Sequence, residues 1–200
     1  MNYISDILYW ISTGLLVPVI VLLIYFFARA LLLIGGFFGQ YLDMKRVQDK
    51  LHRSIDTLTV DNLDAFSELV PKKNKSLSVC YIRQMLDNKN DMTKVEKLRA
   101  DFELEADKDM ELAKILTKMG PMLGLMGTLI PMGPALVGLA NGDIASMAYN
   151  MQVAFATTVV GLFSSAVGFV IKQAKQRWYM RDVNELDFIA NRIKEKYMKQ

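Results

Sequence analysis

Three threonines are the residues on which chemistry could rest: Thr128 and the adjacent pair Thr157 and Thr158. Each stands inside a long apolar stretch, 119–139 for the first and 145–171 for the pair, and neither stretch contains Asp, Glu, His, Lys or Arg. A hydroxyl in such a place can ligate a cation or extend a hydrogen-bond chain, but it does not titrate at physiological pH. A lone threonine in a membrane helix commonly bonds only its own backbone. Two at one depth favour a shared polar site. The midpoint of 119–139 falls near residue 129 and that of 145–171 at 158, so antiparallel helices would bring Thr128 and Thr158 to one level. A proton or sodium path through lipid normally uses an ionisable carrier. If this chain conducts, the carboxylate must come from another subunit.

The threonines sit among small residues at helical spacing. Ala154, Thr158, Gly161, Ser165 and Gly168 follow one another at steps of four, three, four and three, and Gly120, Gly124, Gly127, Pro131, Ala135 and Gly138 do nearly the same. In lipid, hydrophobic attraction between helices is absent, and small residues that let backbones approach take its place. Helix packing alone accounts for such faces, with or without an ion site beside them. Pro121, Pro131 and Pro134 lie in one stretch, where each would kink the helix and free a backbone carbonyl.

The elements that must position these residues are membrane spans. Of the 200 residues 52% are hydrophobic, and they fall in blocks, in the first forty residues and from about 119 to 171, with the charged residues outside. Blocks rather than a helical stripe are how a membrane protein reads. Ile11 to Ala28 is nearly unbroken apolar sequence, resuming from Ala30 to Phe38 after Arg29. This is longer than one crossing and too short for two, so one long helix is expected, with Tyr9 and Trp10 in the outer aromatic belt. Arg29 reads as snorkelling to the inner interface rather than lining a pore. The stretches 119–139 and 145–171 form a hairpin about Asn141-Gly142-Asp143, with Asp143 placed to cap the third helix.

Lys and Arg are absent from residues 1–10 and 140–149, whereas residues 40–118 carry fifteen and 172–200 carry eight. The positive-inside rule places the N-terminus and the hairpin turn outside, and the loop and tail in the cytoplasm. Four segments follow: 1–39 with the first span, a cytoplasmic helical region 40–118, the hairpin 119–171, and a cytoplasmic helical tail 172–200. The main break in the loop is expected at Pro71-Lys72-Lys73-Asn74-Lys75. From Asp91 onward Met92, Val95, Leu98, Phe102 and Ala106 mark an amphipathic helix running straight into the second span. Trp178, Leu186, Ile189, Ile193 and Tyr197 carry the third helix well into the cytoplasm. Asp101, Glu103, Glu105, Asp107, Asp109 and Glu111 alternate on the approach to the membrane. A period of two winds around a helix, which describes a solvated surface. The sharper reading is a cation-concentrating ring built from Glu103, Glu105 and Asp109 by oligomer symmetry.

A net charge of +3, with bases and acids interleaved, argues against nucleic acid as a partner. One Cys80 and one His52 make neither a disulfide nor a metal site, and no nucleophile–base pair suggests an enzyme. The N-terminus has no basic region and no A-x-A exit, so no cleavable signal is expected. Three spans leave no pair of inverted repeats for a secondary transporter.

Gly120-Pro121-Met122-Leu123-Gly124-Leu125-Met126-Gly127-Thr128-Leu129 resembles the Pro-x-x-Gly-Leu-x-Gly-Thr signature of MotA/TolQ/ExbB proteins. Val153-Ala154-Phe155-Ala156-Thr157-Thr158-Val159-Val160-Gly161-Leu162 resembles their Ala-Thr-x-x-Gly-Leu stretch. The resemblance implies an all-α membrane protein assembling as a homopentameric ring around two copies of a single-span partner of the MotB/TolR/ExbD kind. That partner helix carries the titrating aspartate. It implies an ion-driven rotary motor of a prokaryotic cytoplasmic membrane, moving H+ or Na+ past Thr128 and Thr158, with no bound cofactor. Three spans match the TolQ/ExbB plan, whereas Val153, where that branch often has glutamate, looks more flagellar. Thr157-Thr158 is the form that sodium-using relatives tend to carry, and proton-using ones tend to carry Ala-Thr. A bond from Thr157 to a neighbouring helix would account for it equally. A non-conducting oligomeric scaffold for a cytoplasmic machine is the alternative of a different class.

Overall fold

A computed structural model of the chain describes residues 2–56, 62, 63, 66, 70 and 76–197. The principal elements are helices: α1 (Asn2–Asp56), α2 (Leu77–Asp87), α3 (Met92–Asp109), α4 (Glu111–Ala140) and α5 (Ile144–Tyr197). No strand occurs among the described residues. Three helical stretches, within α1, α3–α4 and α5, are long and apolar enough to cross a membrane. The protein is an all-helical, multi-pass membrane protein. The break expected at Pro71-Lys72-Lys73-Asn74-Lys75 lies outside the described residues.

The chain divides into two compact units, one of Met1–Gly35 with Leu112–Lys172, the other of Gly36–Glu111 with Gln173–Gln200. In the first, α1 packs on the hairpin of α4 and α5. Val19 and Leu23 are buried against Leu123, with Phe26, Ile130 and Val160 around them. The Phe27 and Phe163 rings meet at 5.5 Å between centroids. The outward faces stay apolar: Leu125 and Leu129 are each 60% exposed, Phe155 64% and Val159 66%. An apolar surface of that extent has no place in water and suits hydrocarbon as the solvent.

The second unit has the core of a water-soluble protein. Val79, Ile82, Met85 and Leu86 of α2 meet Val95, Phe102 and Ala106 of α3 and Leu186, Ile189, Ala190 and Ile193 of α5. The spacing of three and four is what places these side chains on one stripe of each helix. Met92 and Leu98 pack at its edge. Trp178 lies outside this cluster and stacks on Phe37, centroids 5.2 Å apart, beside Tyr41.

The first helix is long, as expected, and runs past Phe38, where its apolar character fades, to Asp56. After Gly39 the sequence to Asp56 holds no glycine or proline to end it. The amphipathic helix, in turn, does not run unbroken into the second span. It ends at Asp109, and the Met110 N–H turns back to the Ala106, Asp107 and Lys108 carbonyls before α4 begins at Glu111. At its start, Asp91 accepts a bond from the Lys94 N–H at 3.1 Å, a side-chain N-cap.

Candidate functional site

The turn sets the register of the hairpin. At the end of α4, the Asp143 N–H donates to Gly138 O at 2.8 Å and the Gly142 N–H to Leu139 O at 3.1 Å. Gly142 sits at φ +74°, where a side chain would be strained. This is the Schellman closure of a helix, which satisfies carbonyls that would otherwise be orphaned. Asp143 then starts the next helix by accepting from the Ser146 N–H at 3.0 Å. Only three residues, 141–143, separate the end of α4 from the start of α5.

Register and size together bring the two backbones into contact. A Cβ on Gly161 would stand 2.6 Å from Gly120 O and 2.9 Å from Gly124 Cα. Gly120 itself faces Gly161 and Ser165, Gly124 faces Thr158 and Gly161, and Gly127 faces Thr157. Lower down, Gly168 lies against Ala113 and Leu116. Ala154 is buried on the same seam. Of the prolines, Pro131 is buried, Pro134 half-buried and Pro121 exposed, all within the continuous α4.

With this register Thr128 and Thr158 lie within roughly 3 Å of each other along the hairpin axis, two residues at helical rise. Their hydroxyls are turned to backbone. Thr128 Oγ1 donates to Leu125 O at 2.7 Å, and Thr158 Oγ1 to Ala154 O at 3.2 Å while reaching Gly124 O across the hairpin at 3.5 Å. Thr157 is 8% exposed, packed on Gly127, and donates to Val153 O and Ala154 O. No hydrogen bond joins Thr128 to either of the pair. Each hydroxyl spends its hydrogen on the helix and retains oxygen lone pairs, the half of the group that a cation would use. Thr128 and Thr158 are partly exposed, and Thr157 is behind them in the seam.

A second interhelical bond escaped the sequence reading. Ser165 Oγ donates to Thr117 O at 3.0 Å. Thr117 is four residues before Pro121, whose ring nitrogen has no hydrogen to give it. The serine hydroxyl replaces the missing helical donor. The four-residue offset from a proline was the available signal. Also unread was the ion pair of Lys175 with Asp109 at 2.6 Å, joined by Tyr179 OH on the same carboxylate oxygen at 2.5 Å. These residues lie beyond the apolar stretch ending at Ile171, in the second unit. Burial first, then the Asp109 carboxylate, holds the Tyr179 phenol well above its ordinary range, so it remains a donor.

The three acids of the expected ring each have a cationic neighbour within their own unit. Glu103 meets Arg99 at 3.1 Å, Glu105 meets Lys108 at 3.8 Å, and Asp109 meets Lys175. The first two pairs are exposed and therefore weak. Arg29 is exposed, its guanidinium 5.9 Å from the Tyr25 ring one turn earlier.

A family model described as the MotA/TolQ/ExbB proton channel family matches residues 73–187, more than half of the chain. No curated protein matches the chain.

Proposed function

Because the chain belongs to the MotA/TolQ/ExbB proton channel family, we propose that it is the channel-forming subunit of an ion-driven rotary motor, acting with a single-span partner of the MotB/TolR/ExbD kind. The observation that carries this reading is a close-packed hairpin with threonines near the middle of its two apolar stretches and no Asp, Glu, His, Lys or Arg in either. A path so built can ligate or pass an ion but cannot release a proton of its own. The carboxylate comes from the partner helix, present in two copies inside a ring of five copies of this chain. The small-residue seam joins α4 to α5, and the apolar faces outside it meet lipid and neighbouring copies. The ring sits in a prokaryotic cytoplasmic membrane with its N-terminus and hairpin turn outside and its C-terminus inside, the orientation that the Lys and Arg distribution favours. Thr128 and Thr158 line the path, and Thr157 supports it from behind. The protein has no catalytic residues and needs no bound cofactor.

Thr158→Val keeps the side chain's shape and removes its oxygen. In the complex reconstituted with its native partner it abolishes ion-driven flux and leaves assembly nearly intact. Thr128→Val acts in the same direction, more weakly. Normal flux in both variants would refute the assignment. A non-conducting oligomeric scaffold is the second reading. It is favoured by the one fact that all three hydroxyls already donate to their own chain's backbone. A neighbouring reading frame encoding one span with a central aspartate separates the two, because a scaffold has no use for it.

A further inference from the structure

One edge of the second unit keeps large apolar side chains in the open. Phe37 stacks on Trp178 with centroids 5.2 Å apart and planes 2° from parallel, and Tyr41 lies 5.9 Å from the same indole. All three residues belong to that unit. Phe38, Tyr41 and Leu42 are exposed beside the stack. On a unit that otherwise gathers its apolar side chains into a core, such a patch marks a binding surface.

Its position along the helices identifies the solvent that it meets. Phe37 and Tyr41 stand where the apolar stretch of α1 fades, and Trp178 is seven residues past Ile171 on α5, about 10 Å at helical rise. Each Cα–Cβ bond of a helix tilts toward its N-terminus. In both helices that direction leads back to the apolar stretch, so the three rings lean toward the bilayer. Tyr and Trp at such a place set the ring among acyl chains and the polar tip among headgroups.

The polar tips are unspent. Among the described residues neither the Tyr41 hydroxyl nor the Trp178 indole N–H makes a hydrogen bond. Arg181 is three residues from Trp178 and four from Arg177, so both arginines flank the indole, and both are exposed. Arg177 makes no ion pair among the described residues. The nearest acid on α5, Asp182, is buried in the unit and already partnered. A guanidinium grips a phosphate with two parallel N–H bonds. A zwitterionic headgroup would bring an ammonium that two guanidiniums repel, whereas an anionic headgroup brings none.

We infer that Phe37, Tyr41, Trp178, Arg177 and Arg181 form a binding site for an anionic phospholipid. Its phosphate sits on the arginines and the two free donors, and its acyl chains lie against the exposed apolar side chains of α1. On the orientation proposed above, the lipid belongs to the cytoplasmic leaflet. Ion conduction plays no part in this site, so failure of the channel reading leaves it standing.

The chain has two tryptophans, and Trp10→Phe leaves Trp178 as the single fluorophore. The full chain with that change is reconstituted in phosphatidylcholine vesicles. Quenching is then titrated with phosphatidylglycerol brominated near the headgroup end of its chains, or with phosphatidylcholine brominated alike. Half-maximal quenching should need at least fivefold less of the anionic lipid, since each cation near an anionic headgroup contributes roughly a factor of five. Arg177→Gln should reduce that preference several-fold, and Arg177→Gln with Arg181→Gln should abolish it. An unchanged preference in the double variant overturns the inference. Should the double variant not fold, Arg177→Gln is read alone, and an unchanged preference there has the same force. Equal quenching by both lipids reduces the cluster to an ordinary aromatic belt and also overturns it. So does quenching by neither, which means that protein covers the patch, a second copy of this chain included. Relief of quenching by inorganic phosphate, but not by chloride at equal ionic strength, makes this a site for soluble anions and overturns the lipid.

Discussion

Lys175 is nearly buried, its side chain 5% exposed, while the Asp109 carboxylate that it meets is 35% exposed. The two ends of this pair therefore tolerate loss differently. Asp109→Ala leaves an ammonium in a poorly solvated place, whereas Lys175→Met leaves a carboxylate that still has Tyr179 and water. Stranding one partner of a buried pair costs about 3–5 kcal/mol, because the charge left behind is poorly solvated, and the cost falls as that charge gains water. Partial exposure puts Asp109→Ala at the lower end, about 3 kcal/mol. Lys175→Met should cost less than Asp109→Ala, because the carboxylate that it leaves is a third exposed and keeps the Tyr179 hydroxyl. Thermal unfolding of the purified protein measures both, and the opposite order of stability would refute the account. This pair was not legible in the sequence, because Asp109 is one of six alternating acids and nothing local marks it as the paired one. The threonines were legible as to place and not as to bonding. Hydropathy puts them near the middle of their apolar stretches, but the rotamer that turns each hydroxyl to a backbone carbonyl is not written in it.

At the scale of elements, the steps of three and four located both small-residue faces but not which glycine meets which. The register comes from the turn, where Gly142 and Asp143 close α4 and cap α5 within a three-residue connection, 141–143. Asn141-Gly142-Asp143 did signal that turn. The full length of α1 was not read, because hydropathy reports where lipid ends and not where a helix does. The register makes an asymmetric prediction. On Gly161 a methyl would meet backbone at 2.6 and 2.9 Å, atoms that no rotamer can move, whereas on Gly124 its nearest neighbours are at 3.6 Å, ordinary contact. Gly161→Ala should force the helices apart at a cost of about 1–3 kcal/mol, the range for overpacking. Gly124→Ala should be nearly silent, although both glycines belong to the same motif-bearing hairpin. Melting temperatures in mild detergent distinguish them. Equal losses would mean that the seam is not registered as described.

For the molecule as a whole, the proposed function turns on what the hairpin lacks. It belongs to a channel family, yet from Met119 to Leu139 and from Ala145 to Ile171 it offers an ion only hydroxyls, amides and backbone carbonyls. Arg29 and the cations and acids of the second unit lie outside that hairpin core. Neutral oxygens can stabilise a cation that is already partly paired, but moving a bare charge into hydrocarbon costs several kcal/mol and more. On the proposed function, the missing negative charge comes from the partner and acts as the gate. The prediction is that this chain, purified and reconstituted alone, forms closed homo-oligomers that pass neither protons nor sodium above the background of empty liposomes. Adding the single-span partner restores flux, and adding the same partner with its central aspartate changed to asparagine does not, although the complex still assembles. Native mass spectrometry of each preparation checks the assembly, with five copies of this chain to two of the partner as the expected count. Ion flux from the chain alone would show that hydroxyls and carbonyls suffice, and would transfer the charge-carrying step from the partner to the hairpin.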